Sequence, residues 1–238
     1  MGALVLALSA LQWTGAGCVT SPGRSPAWVA QPDKDRSAEL LAAVKARDVF
    51  EHRFPGNYRC VQRAVVTVGR RQFTCDGVLT AKPGEGHHLA VVSALGVVTD
   101  VRVGEDGACE VGKVTPLMRE QWSRDYVARD LQVLFSTPRH LTNGGRLADG
   151  SVVLQAGPDA SGLLLRYAFT PEGDRWEAVE MSRNGRQLYH ARVARYRQVA
   201  GAGRELPSAF EVFAETYQLS LQAAEWRVEG GADTGGRR

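Results

Sequence analysis

The sequence of 238 residues lacks the short motifs that mark the common catalytic sites. It has no Gly-x-Ser-x-Gly, Ser-x-x-Lys or His-Glu-x-x-His motif and no glycine-rich phosphate loop. Its four cysteines show neither the Cys-x-x-Cys nor the Cys-x-x-His spacing of structural zinc sites. We therefore expect a protein that is not an enzyme, with no catalytic residue, metal ion or cofactor.

The sequence also lacks a strong excess of charge of either sign. It carries 29 basic and 26 acidic residues, a net charge of +3, and the two signs are interspersed. Proteins that bind nucleic acid non-specifically usually cluster Lys and Arg on one face. We expect no nucleic-acid partner, and a hydrophobic content of 44% fits one ordinary globular domain.

Three polar residues in otherwise apolar surroundings are candidate site residues. His87 and His88 are adjacent, so on a strand their side chains point to opposite faces, and no third metal ligand is near in sequence. A solvated turn is the preferred interpretation. Asp130 interrupts an apolar helical pattern, and it either orients a group in a cavity or lies on the solvated flank of the helix. We prefer the solvated flank.

The first 17 residues contain no charged side chain and begin with an apolar run. This run is too short to span a bilayer as a helix, but its length fits the core of a secretory signal peptide. The sequence Ala16-Gly17-Cys18 resembles the end of a bacterial lipobox, in which the cysteine is acylated, for example with palmitate. We therefore predict a signal peptide over residues 1–17 and lipid attachment at Cys18.

Two departures keep an alternative open. Gly15 stands where a lipobox normally has leucine, and no Lys or Arg precedes the apolar run. The alternative is an ordinary cleaved secretory signal followed by a chance cysteine. Because Val19 rather than Asp follows Cys18, an acylated chain is expected in the outer membrane, on its periplasmic face, by analogy with enterobacterial lipoproteins.

The segments at both ends of the chain read as flexible. Residues 18–36 are predicted to form a tether after the lipidated cysteine, because they are rich in Ser, Pro, Gly and charge. Residues 229–238 are glycine-rich and are predicted to form a disordered tail. Between them, Cys60, Cys75 and Cys109 allow one disulfide of unassigned pairing, or are three small buried apolar residues.

Two segments have helical periodicity. Residues 37–50 predict a helix with Leu40, Leu41 and Val44 on one side. Residues 116–135 carry two apolar stripes, one with Met118 and one ending at Phe135, where a surface helix needs a single stripe. The second segment is therefore either two short helices that meet near Asp125 or one helix with apolar neighbours on two sides.

Alternating apolar and polar residues predict strands through most of the remaining chain. A two-residue turn at Gly69-Arg70 would pair Val66 with Phe73 and would bring the apolar faces of two strands to one side. Five strands before the mid-chain helix and six after it predict about 11 antiparallel strands. A sheet of this size must curl, so residues 37–228 are predicted to form a mainly β, α+β domain, a curved sheet or open half-barrel covered by a helical lid.

This order of elements resembles the LolA/LolB-like superfamily of bacterial envelope proteins. Residues 93–103 and 128–135 are similar to an uncharacterised family of outer-membrane lipoproteins within it, and the likeness extends from Phe54 to Trp226. The resemblance implies a hydrophobic pocket between the half-barrel and its helices that receives acyl chains of a lipid or a lipoprotein. No lid-closing arginine and no membrane-inserting leucine can be matched residue by residue.

The resemblance makes lipid or lipoprotein acyl chains the expected ligands, and the N-terminal anchor makes the membrane the expected partner. The alternative is a non-enzymatic envelope assembly lipoprotein with a filled barrel core and a protein partner. For any single one of Trp122, Tyr126, Leu131 and Phe135, core packing is the preferred interpretation. Seven residues are candidates for lining the cavity or the lid: Val66, Phe73, Leu79, Trp122, Tyr126, Leu131 and Phe135.

Overall fold

The computed structural model describes residues 36–93, 96–115 and 120–228, and in this part of the chain twelve strands form one antiparallel sheet. The predicted signal peptide, Cys18, the tether before residue 36 and the tail lie outside the described residues. The strands are β1 (Tyr58–Val68), β2 (Arg71–Lys82), β3 (Gly86–Ser93), β4 (Gly96–Val103), β5 (Cys109–Val114), β6 (Leu141–Arg146), β7 (Val152–Ala156), β8 (Leu163–Phe169), β9 (Trp176–Arg183), β10 (Arg186–Gln198), β11 (Glu205–Ala214) and β12 (Gln218–Val228).

The sheet is curved and does not close. Its strand order is β5-β4-β3-β2-β1-β12-β11-β10-β9-β8-β7-β6, so two meanders meet where β1 pairs with β12, and β5 and β6 are its edges. The predicted half-barrel under a helical lid is confirmed. The sequence predicted one strand fewer, because β6 lies in a polar stretch that was interpreted as a loop.

The first hairpin has the predicted register. Val66 pairs with Phe73, Ala64 with Cys75, and Cys60 with Leu79. Gly69 opens the turn with a φ of +58°, a conformation that glycine adopts at little cost. Turn length and side-chain alternation specify the same pairing, and the structure adopts it.

Helix α1 (Arg36–Glu51) packs through a face of small residues. Ala42, Ala43, Ala46 and Phe50 are buried, and α1 contacts β6, β7 and β9. Leu40, Leu41 and Val44 do share one side, but it is the exposed side, with exposures of 61%, 71% and 60%.

A close backbone approach explains why alanines occupy the buried face of α1. A Cβ atom added to Gly173, which has a φ of +70°, would lie 2.3 Å from the carbonyl oxygen of Ala42. The turn before β9 therefore reaches the helix backbone, and large side chains on that face would separate the two. The larger aliphatic residues of α1 are left on the outside.

The lid (residues 120–135) combines two helix types. Short α-helical residues Glu120–Trp122 lead into π-helical residues Ser123–Val127, and α-helix resumes over Ala128–Phe135. The segment is therefore neither two separate helices nor a uniform one, and its irregular part is centred on Asp125, where a junction was predicted. Residues 116–119, with Met118, lie outside the described residues. π-Helical segments are rare and often occur at functional sites.

The lid lies across β4 and β5 and contributes a buried face to the core. The Thr99 and Ser123 hydroxyls, both fully buried, lie 3.0 Å apart and join β4 to the π-helical segment. Ala128, Leu131, Leu134 and Phe135 are buried in the same core as α1. Cys60, Cys75 and Cys109 are free cysteines; Cys60 is buried, whereas Cys75 and Cys109 are half-buried.

Candidate functional site

Aromatic side chains fill the space between the concave face of the sheet and its two helical elements. The Phe50 ring lies 4.4 Å from that of Tyr167 and 5.7 Å from that of Trp176. Phe54 lies 5.2 Å from Phe135 of the lid and stacks at 5.9 Å on Trp226 of β12. The interior under the lid is therefore apolar, aromatic and closely packed.

Arg53 lies in this aromatic interior just after α1, with only 5% of its surface exposed. Its guanidinium carbon is 3.7 Å from the centre of the Phe50 ring, a cation–π contact. Its nitrogens donate to the Phe50 carbonyl at 2.6 Å, to the Ser136 carbonyl at 2.7 Å and to the Thr137 hydroxyl at 2.9 Å. Ser136 and Thr137 directly follow the lid, so Arg53 ties the end of the lid to the end of α1.

The charge of Arg53 has no carboxylate partner in the described part of the chain. Each of its three hydrogen-bond acceptors is a neutral oxygen. Burial lowers the pKa of Arg53 to about 10, so the side chain keeps its proton at neutral pH. A buried cation without a counter-ion is costly, and cation–π contacts and neutral hydrogen bonds offset only part of that cost.

Three aromatic residues near Arg53 have buried polar atoms without a hydrogen-bond partner. They are the hydroxyls of Tyr58 and Tyr167 and the indole nitrogen of Trp226. The Nε of Arg53 is also buried without a hydrogen-bond partner. Tyr58 and Tyr167 are 2% and 0% exposed, and both lie close enough to affect the charge of Arg53. Burial raises the pKa of both phenols, so both keep their protons and can donate.

His87 completes this end of the interior. Its ring centre lies 6.4 Å from that of Tyr58 and 6.5 Å from that of Phe135, and its Nδ1 is 3.4 Å from the Ser136 hydroxyl. Burial, with a smaller contribution from the charge of Arg53, lowers the pKa of His87 to about 4, so the imidazole is neutral at pH 7.

The solvated turn predicted for the two histidines is wrong, because both lie on β3. His88 points to the other side of the strand, where its Nε2 lies 2.8 Å from a carboxylate oxygen of Asp100. The opposite orientation of the two side chains was the correct part of the prediction. Within the described residues, no group of three His, Cys, Asp or Glu side chains could hold a metal ion.

A second polar cluster lies on the lid. The Tyr217 hydroxyl donates to Asp130 at 2.6 Å and accepts from Arg129 at 3.0 Å, and the Tyr189 hydroxyl faces the same carboxylate. The solvated position predicted for Asp130 is therefore wrong. Burial raises the pKa of Asp130 to about 6, against the opposing effects of the Tyr217 hydrogen bond and the Arg129 charge.

The seven predicted lining residues fall into three groups by their exposure. Leu79, Leu131 and Phe135 are buried in the core. Val66, Trp122 and Tyr126 are half-buried at its margin, where Trp122 and Tyr126 pack on Tyr217 with ring centres 6.3 and 5.4 Å away. Phe73 is 55% exposed. All seven remain candidates for contact with a ligand.

Two clefts among the described residues have volumes of about 280 and 260 Å³, and no residue of the lid lines either of them. The smaller lies between the end of α1 and the second meander, and it is lined by Arg53, Tyr196 and charged groups that include Arg175 and Glu205, which pair at 2.6 Å. Polar and charged side chains contribute to the lining of both clefts, so neither is the apolar hollow predicted under the lid. In that region the structure places aromatic side chains.

Sequence reasoning missed Arg53 as a site residue. Its position continues the buried row of Ala46 and Phe50, at spacings of three and four residues. The signal was visible only if the alanine face of α1 was taken as the buried face. Hydropathy favours the leucine face instead, and it gives no reason to single out Arg53.

Comparison with known proteins gives matches in structure alone. No family model and no curated protein sequence matches the chain. A putative outer membrane lipoprotein-sorting protein domain from Vibrio parahaemolyticus is similar with a TM-score of 0.57 and 14% identity, over 84% of this chain and 96% of that one. A LolA superfamily protein from Nitrosomonas europaea is similar with a TM-score of 0.59 and 13% identity, over 84% of this chain and 98% of that one.

A DUF1329 family protein from Desulfovibrio piger is also similar, with a TM-score of 0.51 and 9% identity, over 82% of this chain and 95% of that one. At identities this low, the TM-scores establish a shared fold and no more. The chain has the LolA-like fold, as its sequence pattern predicted. No helix in the described part of the chain is both long and apolar enough to cross a membrane.

Proposed function

We propose that this chain is an outer-membrane lipoprotein that binds the acyl chains of a lipid or a lipoprotein and takes part in their transport through the envelope. The acyl chain would enter the aromatic interior between the sheet and the lid. The observation that carries the proposal is the attachment of the lid end, which Arg53 holds through hydrogen bonds to Ser136 and Thr137. Contacts of this kind exchange without unfolding the sheet.

Two further observations support a moving lid. The π-helical residues Ser123–Val127 interrupt the regular helix, and such irregularities are sites where helices bend. The other lid contacts include single polar bonds, such as Gln132 to the Gly107 carbonyl at 2.8 Å and Arg124 to the Cys109 carbonyl at 3.3 Å. The described arrangement is then the closed form of the carrier, in which its own rings occupy the ligand space.

The fold supports the same proposal. One structural neighbour is described as a lipoprotein-sorting domain and another as a LolA superfamily protein. Lipid attachment at Cys18 and the outer-membrane location are part of the proposal. Mass spectrometry of the mature N-terminus from native membranes tests the lipid attachment. An acylated Cys18 carries the mass of its lipid, whereas an N-terminus produced by ordinary signal cleavage does not.

Copurification tests acyl binding. The full chain is expressed in a bacterium and purified in amphipol, which keeps detergent out of the interior, and bound lipids are identified by native mass spectrometry. We expect one acyl ligand per chain, for the wild type and for Arg124→Met alike. A chain that carries no lipid and takes up none contradicts the proposal.

The filled interior favours a second candidate function. A half-barrel packed with Phe50, Phe54, Phe135 and Trp226 is also suited to a rigid assembly lipoprotein that binds an envelope protein through its loops. Photo-crosslinking in cells separates the two functions. A single protein partner supports the assembly role, whereas scattered lipid adducts support the carrier.

A further inference from the structure

We propose that the interior around Arg53 recognises the anionic oxygen group of an acyl ligand, a carboxylate or a phosphate, in addition to its hydrocarbon chain. This inference rests on the proposed function and names the class of ligand. It starts from an imbalance in the interior. The described polar atoms that lack partners there are the Tyr58 hydroxyl, the Tyr167 hydroxyl, the Trp226 indole nitrogen and the Arg53 Nε, and each carries a hydrogen to donate.

Buried polar groups in folded proteins nearly always have hydrogen-bond partners, and an exception calls for an explanation. Phenylalanine in place of Tyr58 or Tyr167 would fill nearly the same volume without a stranded hydroxyl. A ligand that brings oxygen acceptors explains why hydroxyls are present at positions that the closed form does not use. The class follows from the donors, because carboxylate and phosphate oxygens accept several hydrogen bonds at once.

The charge of Arg53 points to the same class. In the closed form two of its three acceptors, the Ser136 carbonyl and the Thr137 hydroxyl, directly follow the lid. When the lid moves away, these acceptors leave with it, and a buried guanidinium remains with unused N–H groups and without a salt-bridge partner among the described residues. An anionic oxygen group that enters the opened interior replaces both lost acceptors and supplies the missing counter-charge.

The surrounding residues fit an amphiphile better than a free anion. Phe50 lies against the guanidinium at 3.7 Å, and Phe54 lies 5.3 Å from it and stacks on Trp226. These rings surround the donors with apolar surface, which favours a hydrocarbon chain and disfavours a small hydrated ion. The head of the ligand would lie at Arg53 and its chain along the aromatic interior beneath the lid.

The test compares ligands that share one chain and differ in the head. Tetradecanoate and tetradecanol are titrated by calorimetry into the full chain in amphipol at about pH 8, with acetate as a head that lacks a chain. We expect tetradecanoate to bind at least about tenfold more tightly than tetradecanol, from one charge-assisted hydrogen bond or more. Acetate alone should bind far more weakly than tetradecanoate.

Two variants test the named donors without disturbing the fold. Tyr58→Phe and Tyr167→Phe remove hydroxyls that bond to nothing in the closed form, so neither should lower the unfolding temperature. Each should reduce the preference for tetradecanoate over tetradecanol by about tenfold. Tyr189→Phe is the matched control, because its buried hydroxyl faces Asp130 in the second polar cluster, and its preference should equal that of the wild type.

The outcomes separate this inference from the proposed function. Equal binding of tetradecanoate and tetradecanol, or an unchanged preference in both Tyr58→Phe and Tyr167→Phe, would overturn the inference and leave acyl binding standing. Acetate that binds as tightly as tetradecanoate would overturn it in favour of a free-anion site. If neither long-chain ligand binds, the proposed function fails and this inference fails with it.

Discussion

The Tyr217 hydroxyl lies 2.6 Å from a carboxylate oxygen of Asp130, a contact between residues 87 positions apart. It joins the turn before β12 to the first residues of the last lid helix. With Arg129, which donates to the same hydroxyl, it forms a polar attachment of the lid that is separate from Arg53. The lid is therefore attached by two polar clusters, one at Asp130 and one at Ser136 and Thr137, which directly follow it. Apolar packing stabilises the lid as well.

The first prediction concerns pH and Asp130. Its pKa in the fold, about 6, is above its ordinary value, so the fold prefers the protonated carboxyl. The ionised form therefore destabilises the protein above about pH 6, and this penalty disappears as the pH falls toward about 4. Asp130→Asn should be more stable than the wild type at about pH 7.5, by on the order of 1 kcal/mol, with a smaller difference at about pH 4.

Urea unfolding at several pH values measures this difference. Asp125→Asn is the matched control, because Asp125 is an exposed carboxylate in the same lid. Parallel pH profiles for the wild type and Asp130→Asn would contradict the prediction.

The second prediction concerns His87 and has the opposite sign. Its pKa in the fold, about 4, is below its ordinary value, so the fold prefers the neutral ring. The stability that His87 contributes is present above about pH 6.5 and is lost as the pH falls toward about 4. His87→Gln cannot gain a proton, so it should lose less stability than its parent over this range.

The comparison is best made with Asp130→Asn as the parent, so that one titration is observed at a time. Thermal unfolding at about pH 4 to 7 gives the result. His52→Gln, at an exposed position directly after α1, should follow the parent. A His87→Gln profile that also follows the parent would show that the buried ring does not titrate as described.

The third prediction concerns the attachment by Arg53. Arg53→Met keeps much of the side-chain volume and removes the hydrogen bonds to Ser136 and Thr137. We expect amide hydrogen exchange over residues 128–135 to become at least about tenfold faster, which corresponds to about 1.4 kcal/mol of local stability, while β8 to β11 stay protected. Arg124→Met removes an exposed pair with Glu120 and one long bond to the Cys109 carbonyl at 3.3 Å on the same lid, and it should change the exchange far less. Faster exchange over the whole sheet would instead indicate general destabilisation.

The fourth prediction concerns the orientation of α1. Phe50 is fully buried and Leu41 is 71% exposed. Phe50→Ala should lower the free energy of unfolding by about 3–5 kcal/mol, because it leaves a cavity among aromatic rings. Leu41→Ala should cost less than about 0.5 kcal/mol. Denaturant unfolding measures both, and similar losses would mean that the leucine side of the helix is the buried one.

The sheet was predictable because its signals are local. In the first hairpin, a two-residue turn and the alternation of Ala64, Val66, Phe73 and Cys75 specify one register, and the structure has it. β6 escaped prediction because three of its six residues, Asn143-Gly-Gly145, have low strand propensity. It pairs at the sheet edge with β7, whose Val152–Leu154 are buried.

The site was far less predictable, because its polar residues are buried by partners distant in sequence. Arg53 meets Ser136 across 83 positions, and Asp130 meets Tyr217 across 87. Hydropathy and periodicity treat an arginine or an aspartate as solvated unless a motif indicates otherwise, and neither residue belongs to a motif. The buried face of α1 was not predictable from hydropathy for a related reason. The close approach of Gly173 to Ala42 selects small residues on that face over large apolar ones.

Uptake of an acyl ligand is the most direct test of the central claim, that the lid opens over an apolar interior. A fluorescent fatty acid is mixed with the full chain in amphipol, and its entry into an apolar environment is followed by stopped-flow emission. We predict saturable uptake of one ligand per chain, faster for Arg53→Met than for the wild type and unchanged for Arg124→Met. Absence of saturable uptake in all three proteins would contradict the account and leave a filled half-barrel that carries no acyl chain.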